Sequence, residues 1–96
     1  MDYQATKQSA YEDTYNAVMQ KLGMGYLPNI KGLRNEIRSI KGRMDLIEAH
    51  ATFAQSIEEV DKANEKLAVL GGQREAYKAI LKYVNDRIRE TEKQYK

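Results

Sequence analysis

PNIKGLRNEIRSIKGRMDLIEAHATFAQSIEEVDKANEKLAVL, residues 28–70, runs from the only Pro to the pair Gly71-Gly72 without a strong helix stop. Read as one helix, these roughly 43 residues reach ~64 Å at 1.5 Å per residue. Gly32 and Gly42 lie inside it. Each costs ~1 kcal/mol relative to Ala, so any bend is expected at Gly42. Two apolar seams run along the stretch. The first is Ile30, Leu33, Ile37, Ile40, Met44, Ile47, Ala51 and Ala54, at alternating spacings of three and four. The second is Leu46, His50, Phe53, Ile57, Val60, Asn64 and Leu67. On one straight helix the two seams lie very roughly 160° apart. Between Met44 and Ile57 they overlap, so that part of the helix requires cover on both sides.

The flanking segments read as two further helices. A first helix is expected over about 9–22, with Ser9 as N-cap and Glu12 completing a capping box. Tyr11, Tyr15, Val18 and Leu22 share its face. Gly23 is placed at the left-handed C′ position, with Met24 packing on Met19. Pro28 suits the first turn of the long helix, where its missing N–H costs nothing. A third helix is expected over about 73–95, with Tyr77, Leu81, Val84, Ile88, Thr91 and Tyr95 as its stripe. Gly71-Gly72 would then be a turn that folds the third helix back antiparallel. The expected fold is all-α within a single domain over 1–96. A long central helix over about 28–70 is flanked by a shorter N-terminal helix and an antiparallel C-terminal one. That makes a coiled-coil-like hairpin or bundle two helices thick, which oligomerisation would complete.

Composition narrows the function classes. With 16 basic and 14 acidic residues, net charge is +2, so the chain is neither a polycation nor an acidic mimic of nucleic acid. It has no Cys, which excludes disulfides, Cys-bound zinc and thiol chemistry. The residues Met1 to Gln4 carry no basic start and no apolar run follows, so neither signal peptide nor membrane span is expected, and the location expected is cytoplasmic.

The charge is segregated even though the total is balanced. Residues 31–43 sum to +4 and residues 44–66 to −4. Lys31, Arg34, Arg38 and Lys41 form a basic stripe, which opposes the dipole of a helix that starts near residue 28. Three readings fit the stripe. It is a solvated face; or it meets Asp45, Glu48 and Glu59 of a second, antiparallel copy; or it binds an anionic partner such as nucleic acid.

Few residues are arranged for chemistry. Asp45-x-x-Glu48 and Glu58-x-x-Asp61 superficially resemble the paired acidic motifs of helical Mg²⁺-dependent nucleotide pyrophosphatases. On one continuous helix their 13-residue separation turns the carboxylates apart by ~220°, which defeats octahedral Mg²⁺ coordination. A break near Gln55-Ser56, where Ser56-x-x-Glu59 offers a second capping box, would restore the facing-helix geometry. His50 is the only His, which is no metal site by itself; it reads as a core His or as a pH-sensitive interface residue. Asn64 on the same seam is suited to fixing register. Gly23-Met24-Gly25 and Gly71-Gly72 lack the Lys-Ser/Thr of a phosphate loop. No catalytic residue, metal or cofactor is expected.

In size and composition the chain resembles small helical proteins of phages and other mobile elements, a resemblance of shape that no motif carries. The function expected is that of a non-enzymatic interaction module, a small homo-oligomeric regulator, inhibitor or scaffold. It would associate with itself through Met44, Leu46, Ile47, His50, Phe53 and Ile57, and with another protein. The alternative is a nucleic-acid-associated protein that uses Lys31, Arg34, Arg38 and Lys41. A Mg²⁺-dependent nucleotide enzyme ranks third.

Overall fold

The computed structural model describes residues 2–25 and 29–94. It holds three helices, α1 (Tyr3–Gly23), α2 (Ile30–Ala51) and α3 (Ile57–Gln94), and no strand among the described residues. The all-α expectation holds. The longest helix is α3, whose 38 residues span ~57 Å and set the 60 Å length of the molecule.

Three helix ends differ from expectation, each because a better cap stands nearby. Asp2, not Ser9, caps α1: its carboxylate accepts from the N–H groups of Gln4 at 3.0 Å and Ala5 at 3.2 Å. Ser9 is an exposed interior residue. The left-handed residue after α1 is Gly25, with φ +92°, while Gly23 is still helical. Asn29 caps α2 through bonds from Lys31 N–H at 2.9 Å and Gly32 N–H at 3.3 Å, so α2 begins at Ile30. The expected role of Pro28 lies outside the described residues, as do Tyr26 and Tyr95.

The expected helix over 28–70 is two helices. The chain leaves α2 at Ala51 and re-enters helix at Ile57, while Gly42 stays inside α2. Ser56 Oγ accepts from Glu59 N–H at 3.2 Å and Glu59 Oε2 accepts from Gln55 N–H at 3.0 Å. Two orphan donors at the start of α3 are thereby satisfied. That capping pair decides where the long stretch breaks.

Gly71-Gly72 is correspondingly no turn. Both residues are buried within α3. A Cβ at Gly72 would overlap the Lys7 carbonyl oxygen and lie 3.0 Å from both Ala10 Cβ and Tyr11 N. The pair that reads as a stop in the sequence holds the position, Gly72, where the backbone of α1 lies directly against α3. Ala68, Gly72, Ala76 and Ile80, spaced by four, are all buried on α3. Small residues every fourth position let two helices approach closely.

Helix α3 carries both of its neighbours. α1 runs parallel to it: Tyr3 reaches Asp61, Ala10 sits at Gly72, and Leu22 lies with Val84 and Ile88. α2 runs antiparallel: Ala51 and Ala54 lie beside Ala63, Met44 by Gly71, and Tyr77 near Glu36 and Arg43. α1 and α2 have no close backbone approach to each other. The first seam of α2 faces inward, with Leu33 and Ile40 buried and Ile30, Ile37, Met44, Ile47, Ala51 and Ala54 half-buried around them. On α1, Tyr11 and Tyr15 stack at 5.8 Å between ring centroids, and no residue is fully buried. Every ion pair among the described residues lies within one helix. Their one hydrogen bond between helices is Tyr3 Oη to Asp61 Oδ1 at 3.0 Å. The helices are therefore held together by apolar contact.

Glycine replacements should separate by location. Gly42→Ala, with nothing within 4 Å of the new methyl, gains helix propensity and raises stability by up to ~1 kcal/mol. At Gly71 the new methyl would meet Lys7 Cε at 3.6 Å and Met44 Cε at 3.7 Å, ordinary contacts, and stability rises there too. Gly72→Ala forces α1 outward and costs a net ~1–2 kcal/mol, since overpacking outweighs the propensity gain. Thermal melts of the three variants against the parent check the signs.

Candidate functional site

The hairpin between α2 and α3 carries a group of exposed apolar side chains, among them the two most exposed large ones of the described residues, Ile57 and Phe53. Phe53 is 80% exposed, Ile57 81%, Leu46 58% and Val60 40%. They belong to the second seam, and His50 and Asn64 on that seam are exposed as well, with Leu67 half-buried. The break at residues 52–56 explains this. Once the hairpin forms, the first seam is used against α3 and the second is left outside. His50 is accordingly not a core residue in the single chain. Of the six residues expected in self-association, Met44 and Ile47 are half-buried beside α3, and Leu46, His50, Phe53 and Ile57 remain open. Leu46, Ile47, Val69 and Leu70 also line an open groove of about 670 Å³ edged by Arg43, Lys62 and Lys66.

The surface is large for the mass. A compact 11.1 kDa chain exposes roughly 5,700 Å², and this one exposes 7284 Å². The excess is roughly 1,600 Å², and a standard interface covers ~800 Å² of each partner.

The basic stripe is fully outward. Lys31, Arg34, Arg38 and Lys41 are all exposed. Lys41 Nζ pairs with Asp45 Oδ2 at 3.1 Å, with both side chains 60% exposed. Such a pair contributes ~0–1 kcal/mol. Among the described residues Lys31, Arg34, Arg38 and Glu48 form no ion pair. The first turn of α2 holds no acid, so the neutral side chain of Asn29 satisfies its N–H groups while cations stand against the dipole.

The acidic motifs now lie on neighbouring antiparallel helices, as the Ser56 break allowed, but their carboxylates do not converge. Asp45 holds Lys41, Asp61 accepts from Tyr3, and Glu59 is occupied by the cap of α3. No group of three or more His, Asp or Glu placed to share a cation occurs among the described residues. None of these helices is long and apolar enough to cross a membrane.

Sequence reasoning missed two structural anchors, the Tyr3–Asp61 bond and the Ala68–Gly72–Ala76–Ile80 track. The four-residue spacing of the track was a usable signal; the bond left none. Comparison with protein-family models, curated proteins and solved structures found no match.

Desolvation, followed by the hydrogen bond to Asp61, raises the Tyr3 phenol above its ordinary value of 10.0. Desolvation, with Glu36 adding to it and Arg43 opposing, raises that of Tyr77. The folded state thus holds these protons more tightly than the unfolded chain. Their contribution to stability is complete below pH 10 and is lost as pH rises through the raised folded values. Urea melts between pH 8 and 11 should show a fall in midpoint that Tyr3→Phe and Tyr77→Phe together reduce.

Proposed function

We propose that this protein is a non-enzymatic helical interaction module, a small homo-oligomeric regulator, inhibitor or scaffold that acts by covering apolar surface on itself and on a protein partner. The observation that carries the reading is the hairpin tip, where Phe53 and Ile57 stand about four-fifths exposed. Fully burying such a side chain contributes ~1.5–3 kcal/mol, so a tip with these two has a drive to associate. The excess surface is about twice the ~800 Å² that a standard interface covers on one partner, which leaves room for such a contact. The associated state closes the three helices into a bundle with the help of a second chain, and the soluble interior of the cell is its place of action. Light scattering at micromolar concentration should give a mass above 11.1 kDa. Phe53→Asp with Ile57→Asp should weaken association at least about tenfold while leaving helicity intact. A clean monomer from the parent chain at high concentration would remove the reading.

A second reading draws on Lys31, Arg34 and Arg38, which form no ion pair among the described residues and suit nucleic-acid phosphates. Binding to duplex DNA or RNA would then fall steeply with salt. Absence of an electrophoretic shift at ~50 mM salt would exclude it.

A further inference from the structure

The outward face of α2 carries charges in an order that a second copy can match. Lys31, Arg34, Arg38, Lys41, Asp45 and Glu48, at spacings of three and four, form one exposed stripe along the whole helix. Its first part is basic and its last part acidic. Beside it lie Asn35, Gly42, Leu46 and Ala49, all exposed. Leu46 is 58% open and a Cβ at Gly42 would touch nothing within 4 Å, so another helix can approach closely there.

We propose that two copies of this chain pair antiparallel through the outer faces of their α2 helices, about a two-fold axis near Gly42. Arg34 and Arg38 of each copy then face Glu48 and Asp45 of the other, and the two Leu46 side chains are covered. This rests on the self-association proposed above and adds its geometry.

Charge complementarity chooses the occupant. In a parallel pair, each end of the stripe would meet its own sign. In an antiparallel pair, the ends meet opposite signs twice, because a two-fold interface repeats every contact. Arg34, Arg38 and Glu48 have no ion-pair partner among the described residues, so pairing breaks no existing bond of theirs. Lys41 at the axis is already neutralised by Asp45 of its own chain. The cations at the start of α2, unfavourable in the single chain, gain carboxylate neighbours. Nucleic acid would use the basic part of the stripe alone and has no use for its acidic part.

Charge reversal tests the geometry with the full chain. Arg34→Glu with Arg38→Glu leaves four acids on the stripe beside Lys31 and Lys41, and Asp45→Lys with Glu48→Lys makes it basic throughout. All four positions are exposed, so circular dichroism should show unchanged helicity in both variants. Each variant alone should dimerise at least about tenfold more weakly than the parent in sedimentation at ~50 mM salt. An equimolar mixture should restore a dimer that contains one copy of each. If the parent is dimeric and both variants remain so unmixed, α2 pairing is overturned and self-association through the tip stands. A mixture that stays monomeric also overturns the pairing. A parent chain that is itself monomeric overturns both proposals.

Discussion

The contact between the backbone of α1 and Gly72 is the constraint on which the arrangement depends. Helix α1 has no fully buried side chain of its own, so its hold on α3 comes from proximity rather than from large side chains. Proximity requires a position without a Cβ beneath the Lys7 carbonyl, and Gly72 supplies it. It also fixes register. Sliding α1 by one helical turn in either direction would bring the methyl of Ala68 or Ala76 under that carbonyl. A single missing atom thus specifies where a 21-residue helix docks. The cost of Gly72 inside α3, ~1 kcal/mol, is offset by the packing it permits.

The second determinant is the turn at residues 52–56. It contains neither Gly nor Pro, and no described residue in it has positive φ. Its position is set by side-chain bonds at Ser56 and Glu59 and by the demand of the first seam for a partner. Folding back satisfies that seam with the chain's own α3. The second seam is then left largely without cover, which is why Phe53 and Ile57 stand exposed at the hairpin tip.

The sequence made the helical class, the inward seam of α2 and the outward basic stripe legible, because periodicity reports faces directly. Connectivity was harder to read. Glycine has two opposite uses, ending a helix or allowing another backbone near it, and local sequence does not separate them. Gly72 has the second use, and the true break hides at Ser56, whose cap competes with a helix-permissive run from Ala51 to Gln55. The overlap of two seams around Met44 to Ile57 was itself the trace of that break: one helix cannot conveniently bury two opposite faces, whereas a hairpin changes face at its turn. At the candidate site, Leu46, His50, Phe53 and Ile57 were legible as an apolar set. That Met44 and Ile47 turn towards α3 required knowing where α3 lies. Ile80 and Ala76, fully buried, were missed because the stripe through Tyr77, Val84 and Ile88 fits a helix contacted from one side, and α3 is contacted by two.

The confinement of ion pairs to single helices has a consequence for how the molecule responds to its surroundings. Among the described residues no link from one helix to another is an ion pair, so dissolved ions should scarcely disturb the tertiary arrangement. Among the described residues the unmatched charges other than half-buried Arg74 are exposed, where counterions act on them freely. Ionic strength should therefore act on these exposed charges and leave the shape of the molecule alone.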